Sequence, residues 1–144
     1  MIAIGCDHAG VEMKKAVIEA LSAQGFEFKD LGTDGEPCDY PVIAEAVCKE
    51  VTSGGCEKGI LICGTGIGMS MAANKIKGIR AALCADYFSA KYTRLHNDAN
   101  VMCMGARTIG QGLACELAEV FLKTGFEGGR HQRRIDLITK LENE

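Results

Sequence analysis

The run Ile60-Leu61-Ile62-Cys63-Gly64-Thr65-Gly66-Ile67-Gly68-Met69-Ser70 carries a thiol at the lip of a glycine-rich turn that ends an apolar segment. Glycines in such a turn let backbone N–H groups face a bound anion as the chain enters a helix. The same donors and the helix dipole favour an ionised Cys63, the form that acts as base or nucleophile. Other reactive types recur at comparable places: Asp7 and His8 after one apolar run, His96 and Asn97 after a helical stretch, Arg107 after another apolar run, and Tyr40, Arg130 and Arg134 in connecting segments. Together they supply an acid, a base and anion ligands.

Motif spacing narrows the chemistry. A dinucleotide fingerprint needs a third glycine where Met69 stands, and Lys75 is misplaced for a P-loop. Asp86, some twenty residues beyond Gly64, keeps a nucleotide-binding reading open as the acid that would hold a ribose. Each of His8 and His96 is compatible with a structural role, and Arg130, Arg133 and Arg134 with a solvated charged face. Arginine forks also match phosphate. No Cys-x-x-Cys or Cys-x-x-His pair occurs, so the spacing predicts no metal site.

These residues need elements to hold them. Strands are expected over Met1–Cys6, Phe26–Leu31, Gly59–Cys63, Ile79–Cys84 and Asn100–Met104. Helices are expected over Gly10–Gln24, from Pro41, over Gly68–Lys75, Asp86–His96 and Gly110–Lys123, and from the arginine cluster through about Leu141. Strand and helix alternate, and the strands are apolar throughout instead of every second residue. That predicts a five-stranded parallel sheet covered on both faces: a doubly wound, Rossmann-like three-layer α/β/α sandwich with an extra C-terminal helix. The 144 residues suit one domain, with residues 126–144 as an extension expected to pack on a partner subunit. In such sheets ligands sit beyond the carboxyl ends of the strands, and both His8 and His96 are expected at that edge.

Composition excludes several classes. With 47% hydrophobic and 24% charged residues and two prolines, the chain is no disordered segment, and its net charge of −3 gives no basic bias toward nucleic acid. No apolar run of membrane-spanning length and no signal-like N-terminus occur, so a cytoplasmic protein without a membrane partner is expected. Eight cysteines are too few for a disulfide scaffold in a chain of this length, and Cys6, Cys63, Cys84 and Cys103 end apolar runs, so reduced thiols are expected.

The stretches Gly5-Cys6-Asp7-His8-Ala9-Gly10, Asp39-Tyr40-Pro41, Cys63 to Gly68, Ala72-Ala73-Asn74-Lys75, His96-Asn97-Asp98-Ala99-Asn100 and Glu127-Gly128-Gly129-Arg130-His131, in this order, resemble the B-type ribose-5-phosphate isomerases. Relatives of that family act on galactose 6-phosphate and allose 6-phosphate. The resemblance implies interconversion of ribose 5-phosphate and ribulose 5-phosphate without metal or organic cofactor, in a homodimer or dimer of dimers with sites built from two subunits. It implies Cys63 as the base moving a proton between carbons 1 and 2, where another branch uses a glutamate on the following helix. Thr65 would orient Cys63, and His96 with Asp7 would open the sugar ring. His8, Arg107, Arg130 and Arg134 would bind phosphate, while Asn97 and Tyr40 line the sugar. The N–H groups from Gly64 through Gly66, Ile67 and Gly68 to Ser70 suit the enediolate oxygen, at ~3 kcal/mol per donor in comparable holes. A six-carbon substrate, or a non-catalytic nucleotide or sugar-phosphate binding module, are the competing readings.

Overall fold

The computed structural model describes residues 1–144. Five strands, β1 (Ile2–Cys6), β2 (Phe28–Asp30), β3 (Lys58–Cys63), β4 (Ala81–Leu83) and β5 (Val101–Gly105), alternate with α1 (Val11–Ser22), α2 (Tyr40–Thr52), α3 (Ile67–Ala73), α4 (Tyr87–Asn97) and α5 (Gln111–Lys123), and α6 (Arg130–Glu142) follows. All strand pairings are parallel, in the order β2-β1-β3-β5-β4. The doubly wound α/β fold expected from the apolar strands is therefore present. The chain reverses direction between the adjacent strands β1 and β3, which opens a crevice at their carboxyl ends.

Side-chain alternation along the strands makes two cores. Ile2, Ile4, Cys6, Ile60, Ile62, Met102 and Met104 face one way, onto Met13 and Val17 of α1 and Leu117 and Phe121 of α5. Ala3, Leu61, Cys63, Val101 and Cys103 face the other way, onto Ile43 and Val47 of α2 and Met69 of α3. Burying both faces is why every residue of β1 and β5 is buried and why the strands read as unbroken apolar runs. All eight cysteines are free. Burial pushes the thiols of Cys6 and Cys84 up to about 11 and that of Cys48 up to about 12, so these pack as small apolar groups.

Two strands are shorter than the sequence predicts, both at sheet edges. Phe26 is taken by the end of α1, its N–H donating to Leu21 O at 3.2 Å, so β2 begins only at Phe28. At the other edge, the Asn74 carboxamide pairs with Ala81, accepting from its N–H at 2.8 Å and donating to its carbonyl at 2.9 Å. At Ala81 this side chain takes the place of a neighbouring strand and satisfies the outward backbone groups.

Lys14, 1% exposed, is the most deeply buried charged side chain of the fold. Its Nζ donates to Asp30 Oδ1 and to the Thr33 carbonyl, both at 2.8 Å, and the Cys6 thiol donates to the same carbonyl at 3.6 Å. These bonds tie the segment between β2 and α2 to the carboxyl end of β1, fixing where Tyr40 begins its helix. Compensation by a carboxylate and a carbonyl is what lets the ammonium stay buried.

Candidate active site

Cys63 ends β3 with only 5% of its surface exposed. The Gly66 N–H donates to Cys63 Sγ at 3.1 Å, and the Ile67 N–H donates to Thr65 Oγ1 at 3.2 Å. Ser70 turns back into its own helix, its hydroxyl donating to Ile67 O at 2.7 Å and its N–H to Gly66 O at 3.0 Å. The donor set is thus smaller than the whole turn that the sequence reading offered for an anion. Gly66, Ile67 and Ser70 spend their N–H groups within the chain. Those of Gly64, Thr65, Gly68 and Met69 have no acceptor within it. Four free donors belong to the turn that carries the thiol, which the Gly66 N–H holds in place, an arrangement suited to a carbon acid whose oxygen becomes negative.

Gly66 is required by geometry. Its φ is +79°, and a Cβ there would lie 2.5 Å from Leu83 Cδ1 and 2.9 Å from the Met104 carbonyl carbon. Gly66→Ala is expected to cost of order 1–3 kcal/mol from backbone strain alone and to displace the N–H that holds Sγ. A thermal melt lowered by several degrees, together with a fall in kcat larger than any change in KM, is the expected result.

The crevice between β1 and β3 collects the other residues of this edge. Asp7, half-buried, donates its N–H to Ile62 O at 3.1 Å, and its Oδ1 accepts from the Ala9 N–H at 2.9 Å. His8 beside it is exposed. The Tyr40 ring lies on Gly68, where a Cβ would come within 2.6 Å of ring carbons. Arg107, held by its N–H to Gly64 O at 2.9 Å, lays its guanidinium over Gly64, 3.2 Å from where a Cβ would stand. Asp7, His8, Tyr40, Cys63, Thr65, Gly64, Gly66, Ile67, Gly68, Ser70 and Arg107 therefore share the carboxyl edge.

His96, Asn97, Arg130 and Arg134 do not, which corrects the expectation that both histidines lie at that edge. A helix following a parallel strand runs back toward the amino ends, and α4 delivers His96 and Asn97 there: the Asn97 carbonyl accepts from Arg80 Nε at 3.0 Å, just before β4 begins. Arg80 and Arg94 also clasp Asp98, the left-handed residue at φ 46° that ends α4. The last turn of the chain comes to the same place. The Glu127 N–H donates to Leu95 O at 3.1 Å, and Gly128 and Gly129, at φ +72° and +58°, turn α6 against α4.

There the His131 ring stacks on His96, centroids 4.1 Å apart and 14° from parallel, with Tyr92 edge-on to His96. Glu127 Oε2 lies 3.5 Å from His131 Nε2 and 3.8 Å from His96 Nε2. Burial, with the neighbouring His96 and Arg130, holds His131 below the ordinary histidine range. Glu127 and His131 carry no role in the sequence reading, although their i, i+4 spacing in Glu127-Gly128-Gly129-Arg130-His131 was available as a signal.

Two further placements differ from expectation. Asp86 caps α4, accepting from the Ser89 N–H at 2.7 Å and the Ser89 hydroxyl at 2.8 Å. Both its oxygens are engaged, which removes the acid on which a ribose-binding reading rested. The largest cleft, about 680 Å³, is lined by Lys75, Lys77, Arg80, Asn97, Ile138 and Leu141 and contains none of the Cys63 turn.

Comparison with known proteins agrees with the geometry. Residues 2–138 match the model of the Ribose/Galactose Isomerase family. The chain is 46% identical to ribose-5-phosphate isomerase B of Escherichia coli over 98% of its own length and 95% of the relative's. It is 47% identical to ribose-5-P isomerase B of Listeria innocua, over 99% and 97%. Among solved structures, ribose-5-phosphate isomerase B of Clostridium thermocellum superposes with a TM-score of 0.96 at 45% identity, covering 99% of this chain and 97% of that one. The Mycoplasma genitalium enzyme with bound ribulose-5-phosphate gives 0.94 at 43% identity, covering 99% and 96%. With its parallel sheet, its thiol-bearing turn at the β1/β3 crevice and end-to-end similarity of this order, the chain belongs to the ribose/galactose isomerase family, among the type B ribose-5-phosphate isomerases.

Proposed function

We propose that the protein interconverts ribose 5-phosphate and ribulose 5-phosphate without a metal, by ring opening and proton transfer through an enediolate, with Cys63 as the base. The observation that carries this reading is the Gly66 N–H on Cys63 Sγ in a turn that leaves the N–H groups of Gly64, Thr65, Gly68 and Met69 unspent. In the open aldose, the Cys63 thiolate takes the proton from carbon 2 while the C1 carbonyl becomes an enediolate oxygen. Those N–H groups neutralise the oxygen, the task a metal would otherwise perform. The hydroxyl proton on O2 passes to O1, Cys63 Sγ–H gives its proton to carbon 1, and the carbonyl re-forms at carbon 2. Reversal of the same steps gives the aldose.

Ring opening needs an acid–base group at the ring oxygen, and Asp7 stands next to the Cys63 turn for it. His96 is the second such group, but within one chain it lies at the opposite sheet edge. The reading therefore includes a homodimer in which His96 and Asn97 of the partner subunit close the Cys63 half-site. Its phosphate is gathered by His8, Arg107, Arg130 and Arg134 from the two chains. Residues 126–144 would lie across the partner: Leu137, Ile138 and Leu141 of α6 are 56%, 47% and 69% exposed, an apolar stripe that one chain leaves uncovered.

The test is turnover by the purified chain alone, with chelator present, comparing kcat/KM for ribose 5-phosphate and allose 6-phosphate. Preference for the pentose by tenfold or more, about 1.4 kcal/mol of discrimination, is expected. Preference for the hexose would keep the chemistry and reassign the substrate, and silence on both would overturn the reading.

A further inference from the structure

Three groups able to ligate a metal converge where α4 meets α6: the ligand atoms of His96, Glu127 and His131 all lie within 4.8 Å of one another. We propose that these three residues form a binding site for one divalent transition cation, of which zinc is the type. Two imidazoles and a carboxylate are a donor set that zinc takes with a fourth position left open to water.

The geometry is close to that of a formed site. Zinc–ligand bonds of about 2.0–2.2 Å in a tetrahedral arrangement set neighbouring donors ~3.3 Å apart. Glu127 Oε2 already stands 3.5 Å from one histidine Nε2 and 3.8 Å from the other. The remaining adjustment is a splaying of the stacked rings, so that both Nε2 lone pairs point at one centre. His96, with 36% of its side chain exposed, is free to make it, while His131 at 9% is the fixed half. Glu127 and His131 form an i, i+4 pair across the Gly128-Gly129 turn, and His96 comes from a separate helix. A search for short Cys/His spacings does not see such a set, because its two histidines are 35 residues apart in sequence.

Occupancy has a consequence that rests on the proposed function. If His96 opens the sugar ring in the partner's site, a cation on its Nε2 withdraws that imidazole and slows turnover until a chelator removes the metal. Binding itself does not depend on that role.

Cobalt(II) is the probe, titrated under reducing conditions into the full chain and into Cys63→Ala, Glu127→Gln and His131→Asn. The expected result is one cobalt per chain, with d–d bands of a four-coordinate ion and no thiolate charge-transfer band. Cys63→Ala leaves it unchanged, and Glu127→Gln and His131→Asn each weaken it by about tenfold or more. Glu127 is half exposed, so its variant remains informative if His131→Asn does not fold. A thiolate band lost in Cys63→Ala, equal affinity in Glu127→Gln, or no binding would overturn the site. Cobalt held by these residues with turnover unaffected would leave the site standing and take ring opening away from His96.

Discussion

Cys63→Ala is expected to lower kcat by about 10³-fold while the protein remains folded and still binds ribose 5-phosphate, since a positioned base contributes ~10²–10⁴. In the proposed mechanism the loss falls on kcat because the sulfur would meet the substrate at the carbon that loses its proton, while the phosphate and hydroxyls would be held elsewhere. Folding tolerates the change. Removing one sulfur from a side chain that already touches the surface forfeits about 1 kcal/mol of burial, and the turn keeps its glycines and the Thr65 Oγ1 bond to the Ile67 N–H. Stopped assays with ribose 5-phosphate, a thermal melt and a product-binding titration separate the two effects. Full turnover in the folded variant would remove Cys63 as the base.

Much of this architecture is legible in the residues. Ile60-Leu61-Ile62 and Val101-Met102-Cys103-Met104 are unbroken apolar runs because helices cover both faces of the sheet, and Gly25, Gly66 and Gly110 mark the breaks between elements. The edge strands are less legible. Phe26 and Ile79 look as strand-like as their neighbours, and only the bond from Phe26 N–H to Leu21 O and the Asn74 pairing with Ala81 decide that β2 and β4 are short. The insertion of β5 between β3 and β4 has no sequence signal either, since it depends on which helix covers which face.

At the site, Cys63, Thr65 and Gly66 are readable because a glycine turn after an apolar strand has few other uses. Asp86 misleads, since an acid at a helix start serves a cap as readily as a ribose. His96 misleads differently. Its place at the end of α4 is plain in the sequence, but an eleven-residue helix carries it ~16 Å back along the sheet, so proximity to a strand in sequence means the opposite edge in space.

That separation makes the division of the site between two chains the point to test most directly. Cys63→Ala and His96→Ala chains, each inactive as a homodimer, would be unfolded together, refolded and assayed with ribose 5-phosphate. In a mixed dimer one site carries both substitutions, and the other combines the intact Cys63 of one chain with the intact His96 of its partner. Random pairing makes half the dimers mixed, so recovery of about one quarter of wild-type activity is predicted for a twofold dimer with shared sites. No recovery above the two separately refolded variants, from a mixture shown to contain mixed dimers, would contradict the shared site and confine the chemistry to a single chain.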